Sequence, residues 1–267
     1  MARFITFLVL LVLTATNVLA QDCRYGEYFS LTKEARQLYN TKKYKDAGMA
    51  FKTAFSTVDF PLGVDLALAL KTAKKLEDEK WAEIVSIQLA KGGIPLKFFD
   101  HLQKFKWYTK FRDDFSNYEQ HYKENFNADL RQKLLDAKRV DQEWNEQFHK
   151  WRVRAIELTE EELLIGFSHN LNAFEAIFKE YGFPSEQVMG YYYSRKQVAE
   201  YPTGVLLTHI YQGGVLLYFN ELNVLACQGY ITPDYVDILK SVRGFGDSTG
   251  VEQEVKARIK KFRKEKN

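Results

Sequence analysis

Cysteine and proline are scarce in this 267-residue chain, which holds two of the first and five of the second. So few prolines leave long stretches free to propagate as helix, because little in the chain removes an N–H donor or clashes with the preceding turn. Two cysteines exclude a disulfide-dense small fold, and no histidine spacing beside them suggests a metal site. An excess of one charge is lacking too: 38 Lys and Arg face 35 Asp and Glu, a formal net charge of +3. That balance leaves no electrostatic footprint for a nucleic-acid partner. Several catalytic signatures are missing. The sequence has no G-x-S-x-G elbow, no Walker loop and no G-x-G-x-x-G after a strand, and Gly244-Phe245-Gly246 lacks a third glycine. No cofactor and no metal are therefore expected, and a non-enzymatic role is expected ahead of an enzymatic one.

One long apolar run exists, at the start. Met1-Ala2-Arg3 precedes apolar residues Phe4 to Leu13, and a short polar-tolerant region ends in Val18-Leu19-Ala20. One cation, about ten apolar residues and small residues before the cut describe a signal peptide over residues 1–20. A membrane span needs about 20 apolar residues, so the run is too short for one. A buried N-terminal helix is the competing reading, but no polar face interrupts the run. Asp22 stands before Cys23, which argues against a lipid anchor at that cysteine. The expectation is an exported protein, periplasmic or extracellular, released after cleavage near Ala20. Export permits a disulfide between Cys23 and Cys227. It would close a loop of roughly 200 residues, worth about 4–5 kcal/mol in the chain-entropy model. Two unpaired thiols are the favoured reading, because a buried free Cys is ordinary in an apolar stretch such as Leu222 to Cys227.

The body of the chain is rich in aromatics, with 20 Phe, 16 Tyr and 4 Trp, and its charges are interspersed. Helices with wet outer faces suit that composition. Leu31, Ala35 and Leu38 mark one helix, and Tyr44, Ala47, Phe51 and Ala54 mark a second, with a break at Asn40-Thr41-Lys42. Small residues at 35, 47 and 54 allow close antiparallel packing. The spacing of Leu31, Ala35, Leu38, Ala47, Phe51 and Ala54 resembles a tetratricopeptide repeat. A second hairpin follows: Pro61 opens a helix through Leu66, Leu70, Ala73 and Leu76, and another runs from about Glu79 to Leu89, stopped by Gly92-Gly93 and Pro95. Tyr108, Phe111, Phe115, Tyr118 and Tyr122 fall on one face of a helix over residues 107–126. Such a stripe is a core face first and a ligand groove second.

Asn127 reads as the cap of a long helix running to about Glu157. Thr159 with Glu162 forms a capping box for a helix ending at Gly182-Phe183-Pro184. Tyr191-Tyr192-Tyr193 reads as a short strand or loop. Helices are expected from about Val205 to Tyr211, from Val215 to Cys227 and from Pro233. A last one follows Gly250 and carries a dense basic end from Lys256 to Lys266. That end suits the negative C-terminal pole of a helix. Contact with a membrane surface is the less favoured reading.

From Ala128 onward, Leu130, Leu134, Asp141-Gln142, Asn172, Ile177, Tyr181-Gly182-Phe183-Pro184, Gly190 and His209 occur in an order that resembles a helical domain of unknown function from exported bacterial proteins. In that family an arginine follows the Asp-Gln pair, an aspartate precedes the asparagine, and an Asp-Arg pair comes later. Here Trp144 and Asn145 stand near the arginine position, His169 replaces the aspartate, and no Asp-Arg pair is present. The resemblance leaves Asp141, Gln142, Asn172 and His209 as a candidate binding set. A buried Asp-Gln pair bonding the loop around Gly182-Phe183-Pro184 would explain the same residues without function.

The expected architecture is all-α: a signal peptide at 1–20, TPR-like antiparallel helix hairpins at 21–125 and a helical domain at 126–267. The expected function is a non-enzymatic interaction protein that takes a peptide or protein on the hairpins. The alternative is a small-ligand-binding or hydrolase-like C-terminal domain using the Asp/Gln/Asn/His set.

Overall fold

The computed structural model describes residues 23–212 and 215–242. The signal peptide, the Gly244–Asp247 loop and the basic C-terminal helix of the sequence reading lie outside them. The described chain is mostly helical, with a single two-stranded sheet, as an all-α fold requires. Among these residues no helix is long and apolar enough to cross a membrane.

Four helices open the fold: α1 (Arg24–Asn40), α2 (Tyr44–Ser56), α3 (Gly63–Leu76) and α4 (Glu79–Lys91). Helix α1 begins earlier than the periodicity from Leu31 suggests, because Tyr25 and Tyr28 extend its buried face past Thr32 and Ala35. Lys42, at φ 62°, turns the chain back into α2. Ala47, Phe51 and Ala54 are buried together along α2, which packs closely on α1. Asp78 caps α4 by accepting from Trp81 N at 3.1 Å.

A 3₁₀ segment (Leu96–Leu102) leads to α5 (Tyr108–Asp113) and α6 (Phe115–Asn125). The expected single aromatic helix is thus two, joined at Asp114. Tyr108, Phe111 and Phe115 are all buried, with Phe99 beside both phenylalanines. The stripe is core.

The C-terminal half holds α7 (Ala128–Arg152), α8 (Glu160–Tyr181), the short α9 (Glu186–Met189), β1 (Tyr192–Ser194), β2 (Gln197–Ala199), α10 (Thr203–Gln212), α11 (Leu222–Cys227) and α12 (Pro233–Ser241). Asn127 caps α7 through Leu130 N at 2.8 Å, and the Thr159–Glu162 capping box opens α8. Two boundaries differ from expectation. Helix α7 stops at Arg152, with Arg154 at φ 62°, and the expected helix from Val215 is helical only from Leu222, because Tyr218 adopts φ 57°. The β1–β2 hairpin pairs Tyr192 with Ala199.

Two large cores result. One fills the hairpins and the aromatic segment but also takes Tyr191 and Val198 from the second half. The other lies among α7, α8, α10, α11 and α12. Between them, Ser185 to Tyr191 forms the joint. Gly63 N donates to Glu186 Oε2 at 2.7 Å, Asn127 N to Val188 O at 2.8 Å, and Tyr191 N to Gly92 O at 2.7 Å. Cys23 and Cys227 are disulfide-bonded, closing the far end of the same joint.

Candidate functional site

Asp141 lies on the inner side of α7 with no exposed surface. A carboxylate there needs partners for its lone pairs, since an unpaired charge in the interior costs several kcal/mol. It has them. His209 on α10 places Nδ1 at 2.7 Å from Oδ1 and 2.9 Å from Oδ2. Gln142 Nε2 donates to Oδ2 at 2.8 Å, and Asn170 on α8 donates to Oδ1. Asn145 Nδ2 donates to the Asp141 carbonyl at 2.9 Å and approaches His209 Nδ1 at 3.1 Å. Nδ1 faces a carboxylate, so it carries the proton, and the Asn145 contact is packing against an N–H. Nε2 is left as the second nitrogen of a side chain that is 24% exposed.

Three of the four expected residues therefore meet: Asp141, Gln142 and His209. Asn172 does not; it is exposed on α8. Asn170 takes its place, because two residues along a helix of 3.6 per turn reverse the face. The Asp141-Gln142 pair also fails to reach the Gly182-Phe183-Pro184 loop and bonds His209 and Asn170 instead. Asn145, near the expected arginine position, joins the cluster. Trp144 beside it packs on Gly166, whose missing Cβ makes room for the indole.

Asp141 behind an imidazole orients the ring and favours a proton on Nδ1, half of a general-base arrangement. Outside this cluster, beyond Gln142, lies a shallow open hollow of about 470 Å³ between Lys138, Glu146 and Tyr192. Among the described residues no group of three or more His, Cys, Asp or Glu is placed to hold a metal.

A larger concavity lies at the joint of the two halves, beside the disulfide. This groove encloses about 780 Å³ and is lined by Arg24, Tyr25, Asp59, Phe60, Gln187 and Tyr230, among others. Its walls are fixed. Tyr25 OH donates to Phe60 O at 2.8 Å and accepts from Gln187 Nε2 at 3.0 Å, while Gln187 Nε2 also lies 2.6 Å from Gln228 O. Gly229, at φ 73°, lies against the Tyr25 ring. Burial raises the Tyr25 phenol well above its ordinary range, with the nearby Asp59 and Glu186 carboxylates adding to the shift, so it stays a neutral hydrogen-bonding group. Sequence reasoning missed this groove, since its residues come from four separate segments with no shared motif.

No protein-family model, curated protein or solved structure matches this chain.

Proposed function

We propose that the protein is an exported, non-enzymatic interaction protein that holds a peptide segment of its partner in the groove at the joint of its two halves. Export is supported by the leader-like residues 1–20 and by the Cys23–Cys227 bond, which suits an oxidising compartment. The observation that carries the binding reading is the groove itself. It is roomy, lined by the rings of Tyr25, Phe60 and Tyr230 among mostly polar residues, and braced by a disulfide and a hydrogen-bonded tyrosine. Arg24 and Asp59 give it opposite charges, and Gln187 and Gln228 give it amide edges; such a mixture suits a peptide's alternating apolar and polar groups. The open face of the hairpins is the weaker candidate. Helix α11 packs on α1 and β2 on α3, so the chain covers part of that face itself.

The test places a photo-crosslinking phenylalanine analogue at Phe60 and, as a control, at exposed Glu161. Illumination in the native envelope should yield an adduct from position 60 and none from 161. No adduct at 60, or the same adducts at both positions, would reject the reading.

A second reading is favoured by one observation, the convergence of Asp141, Gln142 and His209. It keeps the C-terminal half as a small-ligand or hydrolase-like site, in line with the resemblance to exported helical domains. A reaction there would need a substrate group at Nε2 of His209.

A further inference from the structure

A second and smaller cavity shares Tyr230 with the groove. It offers about 50 Å³ in which water-sized groups can be centred. A single water occupies on the order of 10–15 Å³, so the space admits more than one water-sized group. Leu62, Ile231 and the rings of Tyr201 and Tyr235 make its walls largely apolar. Two carboxyl side chains also line it, Glu186 and Glu200, and no Lys, Arg or His does.

The polar atoms are unusual. Glu186 is buried; its Oε2 accepts the Gly63 N–H, but Oε1 has no partner among the described residues. The Ser185 hydroxyl, in the same lining and 2% exposed, has no partner either. Buried polar atoms are nearly always satisfied, so two orphans on one cavity mark a ligand or ordered water. Glu200 stands at the exposed mouth.

We propose that this cavity binds a primary alkylammonium group, the head of a free amine or of a lysine side chain, with Glu186 and Glu200 as counter-charges. The apolar walls accept a short run of methylenes, the orphan oxygens accept the N–H donors, and tyrosine faces favour a cation. Without a guest, Glu186 is held neutral: desolvation lifts its carboxyl to about 8, against the Gly63 hydrogen bond that lowers it. The groups facing it are Glu200, Asp65 of α3 and the phenols of Tyr25, Tyr28, Tyr191 and Tyr201. Two cations act on this set from outside the lining: Arg36 of α1, paired with Asp65 at 2.8 Å, also favours the Glu200 carboxylate, and Arg131 of α7 acts on the Tyr201 phenol. No cation lines the cavity itself, so an entering ammonium pairs with Glu186 and draws its proton off to solvent.

The lysine form of this proposal rests on the peptide groove; the free-amine form does not. The experiment titrates n-butylamine into the full disulfide-bonded chain by calorimetry, at pH 6.5 and pH 9, with n-butanol as the neutral control. Butylamine should bind and butanol should not, with tighter binding at pH 9 and proton release visible as a buffer-dependent heat. Glu186→Gln keeps an oxygen for Gly63 N and should weaken butylamine by at least about tenfold, one unit of pKa-equivalent free energy. Glu200→Gln, at the exposed rim, should weaken it less and guards against a folding defect in the first variant. Equal binding of amine and alcohol would show an apolar slot that does not read charge, butylamine affinity unchanged in both variants would show that the amine binds elsewhere, and no binding of either would leave the cavity to water; each overturns the proposal. A lysine peptide that outcompetes its norleucine twin assigns the source to a peptide. A free amine that binds without that preference leaves the cavity proposal standing even if the Phe60 crosslink fails.

Discussion

Cys23, the residue before α1, and Cys227, the last residue of α11, are bonded across a separation of 204 residues with their Cα atoms 4.4 Å apart. The loop they close is nearly the whole described chain. In the chain-entropy model such a cross-link removes about 5 kcal/mol of freedom from the unfolded state. At roughly 2–4 °C per kcal/mol for a chain of this size, reduction should lower Tm by roughly 10–20 °C. Calorimetry with and without reductant checks this, and Cys23→Ser with Cys227→Ser should reproduce the reduced value. An unchanged Tm, with both thiols alkylated in the native protein, would show that the bond does not form in solution.

The Asp141 cluster predicts a graded series. Asp141→Ala strips acceptors from His209, Gln142 and Asn170 at once and should cost about 1–3 kcal/mol by urea unfolding, the range for leaving buried polar groups unsatisfied. His209→Gln offers Asp141 an amide donor and should cost less, and Asn172→Ala should cost almost nothing, because Asn172 is exposed. Long-range ¹⁵N NMR should find the proton of neutral His209 on Nδ1. A proton on Nε2 instead would mean that the imidazole is not oriented by Asp141.

Much of this fold was legible because periodicity and capping act locally. Asn127 and the Thr159–Glu162 box placed two helix starts, and the 3.6-residue spacing found both hairpins. The misses share a different cause. Phe111 and Phe115 continue one stripe in sequence, yet the backbone breaks at Asp114 while both rings stay on Phe99, whose centroid lies 5.0 Å and 6.2 Å from theirs. Tyr218 interrupts an apolar run that reads as helix, because its ring stacks on Phe178 at 4.0 Å and tertiary packing outweighs propensity. At the site, Asp141 and His209 were visible as residues, but only the helix phase distinguishes Asn170 from Asn172. Glu186 carried no signal at all: a glutamate after Pro184-Ser185 reads as a surface loop, and its burial against Gly63 depends on a contact 123 residues away.

Glu186 gives a pH prediction with a definite sign. Its carboxyl titrates near 8 when folded against an ordinary value of 4.5, so the folded chain holds a proton that the unfolded chain has lost. The stability contributed is whole below pH 4.5 and is lost as pH rises through 8. The loss is on the order of several kcal/mol for a shift of this size. Glu186→Gln cannot ionise. Its Tm difference from the parent should therefore move in favour of the variant between pH 5 and pH 9 and level off above that. Parallel Tm curves for the two proteins would mean that Glu186 is not buried as a neutral acid.

Gly182 and Gly190 test whether space or backbone conformation governs the joint. Both have nearly the same dihedrals, φ 77° and ψ −165° at Gly182, φ 75° and ψ −167° at Gly190. That region is essentially reserved for glycine and costs other residues about 1–3 kcal/mol. A Cβ at Gly182 would meet nothing within 4 Å, so Gly182→Ala should lose only that conformational cost. At Gly190 a Cβ would stand 2.5 Å from the carbonyl oxygen of Gly92 and 2.7 Å from the Tyr122 ring. That same carbonyl accepts the Tyr191 N–H at 2.7 Å, so the backbone cannot withdraw without breaking the bond that ties the halves. Gly190→Ala should therefore destabilise by clearly more than Gly182→Ala in the same urea titration. Its loss should also loosen Tyr191, seen as faster amide hydrogen exchange at Tyr191 than in the parent. Equal costs at the two glycines would mean that the halves are free to separate at Gly92, and that the groove between them is not a fixed shape.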